Sequence, residues 1–223
     1  MPESTRSSWD WKRFFQTLSY FEVLPIFSCL RKMLFGTTPP TPPTVAESIL
    51  FDFRSLANAP SQFWGSLDDV VMGGVSQSNW QQQSDMAVFS GRVSVQNSGG
   101  FASVRTRDFN PPLDLSGYTG LELHLQGDGQ RYKFLVRDED RWDSVAYAIS
   151  FDSVADQWMT VQLPFAQMIP VQRAKTVRDG RQLHLSQIYS LQLMLSKFEY
   201  DGALNPLFSP GEFRLAVQTI RVY

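Results

Sequence analysis

The sequence predicts an all-β protein, an antiparallel β-sandwich or jelly roll with a short N-terminal helical extension. Three observations carry that expectation. Beyond residue 45 the hydrophobic pattern has period two, turn signals divide it into short runs, and no strand-helix-strand alternation is present. The first 36 residues instead place aromatic and aliphatic side chains at helical spacing.

In residues 1–36, Trp11, Phe14, Phe15, Leu18 and Phe21 share one helical face, and Ile26, Phe27, Leu30, Met33 and Leu34 share another beyond Pro25. Proline removes an amide donor and crowds the preceding turn, so two short amphipathic helices are expected rather than one. Charged residues interrupt the apolar ones, so the segment is not a bilayer-spanning helix. It also lacks the basic start, apolar centre and small-residue cleavage site of a secretory signal, and does not read as an organelle transit peptide. Three readings stay open. The helices lie in a membrane interface through Trp9, Trp11, Phe14, Phe15, Phe21 and Phe27; they dock on a protein partner; or they form a lid on the chain's own core.

Residues 37–47 are a Pro/Thr-rich linker, expected to be extended and semi-rigid. Residues 1–36 hold five basic and three acidic residues; subtracting from 20 and 22 leaves 15 basic and 19 acidic for the remainder. A net positive front and a net negative domain match attraction of the first part alone to an anionic surface.

The domain spans residues 48–223. Alternation is faultless at 121–126, clear at 145–151 and 191–196, and noisier at 49–54, 87–96, 101–107, 131–137, 158–163 and 213–222. In the last run Phe213, Leu215 and Val217 share one phase and Ile220 and Val222 the other, which predicts a β-bulge near Gln218-Thr219. Residues 165–169 and 177–187 read as helical turn or long loop. No internal repeat of useful length is visible, which argues against propellers and solenoids.

The formal charge of −2 argues against nucleic-acid binding driven by bulk charge; no DNA partner is expected, and RNA contact would need a local patch. A single cysteine, Cys29, excludes an intramolecular disulfide and a Cys-rich zinc site. Two histidines, His124 and His184, both alternating with leucines like strand-face residues, leave little for a metal centre or a general-base triad. No metal and no cofactor is expected.

The most distinctive stretch is residues 64–78, with Asp68-Asp69 before Gly73-Gly74 and Ser76, echoed by Gly99-Gly100 ahead of Arg105. Paired glycines beside aspartates and hydroxyl residues describe a turn with positive φ whose short side chains bond nearby amides. Asp68 and Asp69 read first as turn or capping residues, then as ligand contacts, and least well as an acid/base pair. Asp138, Glu139, Asp140 and Asp143 lack the glycine and distal glutamate of an EF-hand and read as a solvated acidic turn. Gly127-Asp128-Gly129 is not a dinucleotide fingerprint, since spacing and context both differ.

If Ala102 and Val104 point inward, Ser103, Arg105 and Arg107 point outward. The phase of Tyr132, Phe134 and Val136 sends Arg131, Lys133 and Arg137 outward too. A basic sheet face is expected, either solvated or holding an acidic partner surface, lipid headgroups or RNA phosphates. In residues 196–202 Lys197 and Glu199 pair across a turn, or the aromatic rings make a platform.

These stretches resemble the complex I intermediate-associated protein 30 family. The likeness is carried by Asp69-Val70-Val71-Met72-Gly73-Gly74-Val75-Ser76, by Gly99 through Arg105, by Gly127-Asp128-Gly129 with Arg131-Tyr132, and by Lys197 through Gly202, in that order. The resemblance implies a galactose-binding-like jelly roll and a non-enzymatic role in assembling membrane-bound electron-transfer complexes, of the NADH-dehydrogenase or photosynthetic kind. The expected partners are subunits or intermediates of such a complex. Asp68, Asp69, Gly73, Gly74, Ser76, Gly99, Gly100, Arg105, Asp128, Arg131 and Trp142 are the candidate partner- or ligand-binding residues, and no catalytic residue is assigned. The aromatic front end departs from the mitochondrial pattern, so a peripheral place on the cytoplasmic side of a bacterial or thylakoid-type membrane is expected. The alternative is a carbohydrate-binding module using Trp64, Trp80 and Trp142 as platforms.

Overall fold

The computed structural model describes residues 17, 20, 21, 42–55 and 60–223. Thirteen strands are formed among them. They are β1 (Ile49–Asp52), β2 (Trp64–Ser66), β3 (Gln77–Gln82), β4 (Ala87–Val93), β5 (Phe101–Thr106), β6 (Gly120–Gln126), β7 (Arg131–Arg137), β8 (Ala146–Asp152), β9 (Trp158–Pro164), β10 (Ile169–Gln172), β11 (Lys175–Thr176), β12 (Ser190–Ser196) and β13 (Gly211–Val222). All named pairings are antiparallel. One sheet runs β3-β4-β13-β6-β9, with β1 added along the far half of β13, and the other runs β11-β10-β8-β7-β12-β5-β2.

The two sheets close on one apolar core, to which Leu121, Leu123 and Leu125 of β6, Leu191, Leu193 and Leu195 of β12, and Phe213 and Leu215 of β13 contribute. Period-two alternation is what lets each strand give one face to that core. At one end the rings of Phe53, Phe63 and Trp64 lie 5.7, 6.0 and 5.7 Å from Phe51, and Trp64 stacks on Trp80 at 4.8 Å. Such ring pairs each add about 0.5–1.5 kcal/mol beyond area burial.

β13 is the central strand of its sheet and carries the expected bulge. Val217 pairs with Leu125 and Thr219 with His124, so Gln218 is the extra residue. The bulge switches the inward phase, keeping Phe213, Leu215, Val217, Ile220 and Val222 all in the core.

All nine expected strands are present. Four others, β2, β3, β10 and β11, were not marked by alternation: three are short, and β3 reads Gln-Ser-Asn-Trp-Gln-Gln at a sheet edge, where polar residues dominate. Phe165–Gln167 forms a 3-10 turn, and residues 177–187 hold no regular element. His184 therefore sits in a loop and not on a strand face; its N–H donates to Asp138 at 3.0 Å.

The helices expected in residues 1–36 lie outside the described residues, and so do Trp9, Trp11, Phe14, Phe15 and Phe27. The described part is one i to i−4 bond, from the Phe21 N–H to the Thr17 carbonyl at 3.2 Å, with the side chains of Tyr20 and Phe21 against the second sheet. No helix among the described residues is long and apolar enough to cross a membrane.

Candidate functional site

The two aspartates and two Gly-Gly pairs form one unit. Residues Asp69–Met72 make a 3-10 turn that ends at Gly73 in the left-handed region, φ 90°. Closing the turn points the Asp69 carboxylate back into the protein. There it accepts the Ser76 N–H at 2.9 Å, the Ser76 hydroxyl at 2.6 Å, the Gly100 N–H at 2.8 Å and the Phe101 N–H at 3.3 Å. Gly74 and Gly99 are glycines for space: a Cβ on either would stand 2.3 or 2.5 Å from the Asp69 carboxylate.

Asp68 makes the matching tie between the sheets. It accepts the Ser78 N–H at 2.9 Å from β3 and the Ser103 N–H at 3.1 Å from β5, together with the Ser78 hydroxyl at 2.5 Å. Both carboxylates are buried, and a buried charge is tolerable only when donors surround it. The turn-and-capping role is thus what the geometry provides for Asp68, Asp69, Gly74, Ser76, Gly99 and Gly100: they hold β3 and β5 in register across the sandwich. Asp128 acts similarly, accepting the Tyr132 hydroxyl from β7 at 3.0 Å and the Arg214 N–H from β13 at 3.0 Å.

The expected solvent-facing basic sheet face is corrected by the structure. β5 and β7 do share a sheet, with β12 between them. Arg105 and Lys133 are each only 2% exposed. The face they occupy is a second buried layer, in which Leu135, Ala146, Ala148 and Val171 also pack. Loops cover it: Trp142 and Phe21 stand 5.4 and 6.0 Å from the Arg105 guanidinium, and the Tyr200 ring lies 4.2 Å from Lys133 Nζ. Tyr20 covers Arg107 at 4.2 Å and donates its hydroxyl to the Gln62 carbonyl at 3.0 Å.

The layer is polar and mostly self-satisfied. Arg105 donates from Nε to Ser190 Oγ at 3.1 Å and from Nη2 to Asp108 at 2.8 Å. Glu199 accepts from Arg131 Nε at 2.9 Å and Ser150 Oγ at 2.7 Å, so its partner is Arg131 and not the expected Lys197. Arg131 also pairs with Asp152 at 2.6 Å. Lys133 Nζ donates to the carbonyls of Phe198 and Glu199, which seats the 198–200 loop on the sheet. Burial pushes the Lys133 ammonium down to about 8, against the pull of Glu199.

Arg107 and Arg137 are exceptions, each with its Nε buried and without a partner. Arg137 donates from Nη1 to Gln192 Oε1 at 2.8 Å, and among the described residues it has no ion pair. The buried Tyr200 hydroxyl is likewise unpartnered. The sequence puts Arg137 on an outward basic face and Tyr200 among the rings of residues 196–202; Asp108 is the member it does not mark. The signal available was the outward phase of β8, Ala146 and Ala148, whose small apolar residues mark a covered second face.

The family model for complex I intermediate-associated protein 30 (CIA30) matches residues 51–217. The chain belongs to the CIA30 family. The match takes in both aspartate ties, Arg105, Asp128, Arg131 and the 198–200 loop, and so covers nearly the whole sandwich. The chain is also 25% identical over 185 residues to an uncharacterized protein of Schizosaccharomyces pombe, across 76% of this chain and 81% of that one. Among solved structures it resembles a family 11 carbohydrate-binding module from Clostridium thermocellum in complex with a mixed-linked tetrasaccharide. The TM-score is 0.56 at 16% identity, covering 80% of this chain and 96% of the module. An agarase gives a TM-score of 0.51 at 9% identity, over 78% of this chain and 24% of the enzyme. At such identities the likeness concerns the jelly-roll fold alone.

The three tryptophans named as sugar platforms are not exposed platforms here. Trp64 is 4% exposed, Trp80 stacks on it and meets Phe53 edge-on, and Trp142 packs against Phe21 and Arg105. The most exposed of the described tryptophans is Trp158, stacked on His124 at 5.2 Å.

Proposed function

We propose that this CIA30-family protein is a non-enzymatic assembly factor for a membrane-bound electron-transfer complex of the NADH-dehydrogenase (complex I) or photosynthetic type, acting by transient binding to unfinished subunits. The observation that carries the reading is the family match over residues 51–217, which takes in the strands and ties that shape the domain. The carboxylates singled out in the sequence support it too. Asp68, Asp69 and Asp128 spend their acceptor capacity on amides and hydroxyls of the chain itself, which is the use of a scaffold and not of an acid/base pair. Release matters as much as capture in such a role, so modest affinity suits it.

The same proposal places the protein peripherally, on the cytoplasmic side of a bacterial or thylakoid-type membrane. The net positive, aromatic composition of residues 1–36 supports that placement. Phe21 is better assigned to the sheet, because its ring lies 5.5 Å from Trp142.

The test is native electrophoresis of solubilised membranes from a strain lacking the protein. Accumulation of partial complexes, reversed by the wild-type chain, is expected. Fully assembled complexes in normal amount would overturn the reading. A glycan-binding screen addresses the carbohydrate alternative, for which Trp158 is the surface-exposed candidate ring.

A further inference from the structure

The second buried layer holds more positive charge than its own acids balance, and the excess is concentrated at one point. Arg105 and Arg137 both flank Ser190: Arg105 donates to its hydroxyl, and Arg137 is its cross-strand partner. Two guanidiniums side by side in a covered layer repel, and burial followed by the Arg105 charge pushes Arg137 down to about 9. One carboxylate, Asp108, lies within bonding distance of the pair among the described residues, and it is engaged with Arg105 at 2.8 Å. Asp143, the next acid to act on Arg137, is paired instead with Arg173. Asp140 stands near Asp108 and adds no bond to either arginine.

Two unused donors lie on this covered face. Arg137 Nε is buried and bare, and the Tyr200 hydroxyl, which feels the Arg137 charge, is buried and bare as well. A buried polar group left without a partner is costly, so two such donors on one face, where Tyr200 packs on the Leu135 cluster two residues from Arg137, mark a place where an acceptor belongs. Arg137 as a residue is only partly covered, which leaves a way in from solvent. Trp142 supplies an apolar wall beside Arg105.

We infer that Arg137 Nε and the Tyr200 hydroxyl, with Arg105 behind them, form a binding site for a single carboxylate, supplied by an acidic side chain of the client polypeptide. This inference rests on the assembly-factor reading for its occupant. Charge selects the ligand class. Arg105 and Arg137 less Asp108 leave one positive charge, which a carboxylate neutralises, whereas a phosphate of nearly two negative charges would overfill a desolvated site. Geometry agrees: the guanidinium edge holding Nε matches the two oxygens of a carboxylate.

The test uses the full chain and two fluorescent peptides of alternating glycine with either glutamate or glutamine. The glutamate peptide is expected to bind at least tenfold more tightly than the glutamine peptide. Arg137→Lys, which keeps the charge and removes the fork, and Tyr200→Phe, which removes a hydroxyl that bonds nothing, should each weaken it several-fold. Arg92→Gln, at an exposed pair with Glu212, should leave it unchanged. In parallel, the Arg137 Nε–H resonance of ¹⁵N-labelled protein should shift on adding the glutamate peptide. Equal binding of the two peptides, an unmoved resonance, or full affinity in both site variants would overturn the assignment. Competition by millimolar inorganic phosphate as strong as by the peptide would replace the carboxylate with phosphate and overturn it too. The two proposals fail separately: without peptide binding only the site falls, and with binding but normal complexes in the deletion strain only the assembly role falls.

Discussion

The Asp69 carboxylate accepts the main-chain N–H of Gly100, 31 positions further along the chain, at 2.8 Å, and so joins the two Gly-Gly turns. The same oxygen takes the Ser76 hydroxyl, and its partner oxygen takes the Ser76 N–H. Replacing Asp69 by alanine strands several buried donors at once. Each bond to a charged group is worth about 1.5–3 kcal/mol and the losses are not additive, so a cost on the order of 4 kcal/mol is expected. Urea unfolding at pH 7 measures it. A cost below about 1 kcal/mol would show that the tie is dispensable. Asp69→Asn, which keeps one acceptor oxygen, should lose less than alanine.

The neighbouring glycines separate conformation from space. Gly73 has φ 90° and no atom within 4 Å of the place a Cβ would take, so Gly73→Ala meets only backbone strain, about 1–2 kcal/mol. Gly74→Ala puts a methyl 2.3 Å from the Asp69 carboxyl carbon and must push the carboxylate off its donors. Gly74→Ala is therefore expected to cost more than Gly73→Ala, and combining it with Asp69→Ala should cost much less than the sum. Additive losses would mean the two residues do not share one site.

This arrangement also shows what was legible beforehand. Asp68-Asp69 and the paired glycines were readable as a hydrogen-bonded turn, because short acceptors beside Gly have few other uses. That Gly99-Gly100 closes the same node was not readable, since nothing local links the two stretches. Strands such as β6 and β12 announced themselves by leucines every second residue, and the phase change along β13 gave its bulge. β3 was missed because an edge strand needs to bury little beyond Trp80. The reading of Arg105 and Lys133 as solvent-facing went astray for a related reason. Alternation tells which residues face away from the core, but not whether Trp142, Phe21 and the 198–200 loop fold over that second face.

Lys133 gives the covered layer a pH signature. Its ammonium titrates near 8 in the folded protein against 10.5 ordinarily, because burial disfavours the charge. The folded state thus binds fewer protons than the unfolded state between these values, and stability contributed by this group rises with pH across that window. Below pH 8 both states are charged and the full penalty applies. Comparing wild type with Lys133→Met at pH 7.5 and 9.5, the wild type should gain relative to the variant by up to about 2 kcal/mol, at 1.36 kcal/mol per pH unit. The interval stays below the range in which Tyr200 and Tyr132, both pushed up by burial, begin to ionise. An unchanged difference between the two pH values would show Lys133 to be hydrated.

Gly65 reports whether the Tyr20 ring sits on the sheet in solution. On β2 it pairs with Arg105, and a Cβ there would stand 2.3 Å from the Tyr20 ring. Its φ is not in the left-handed region, so alanine is unstrained there once the ring is removed, and loses less chain entropy on folding. Gly65→Ala is accordingly expected to destabilise the wild type by about 1–2 kcal/mol, within the range for overpacking. In a Tyr20→Ala background the same change should be neutral or stabilising by a few tenths, as for Gly→Ala at compatible sites. The sign change is the measurement, read from denaturant midpoints in a double-mutant cycle. If Gly65→Ala has the same effect in both backgrounds, Tyr20 does not occupy the place above Arg107, and the front segment is free to face a membrane or a partner. If the cycle couples, the residues around Tyr20 and Phe21 belong to the domain, and membrane contact must come from other parts of the chain.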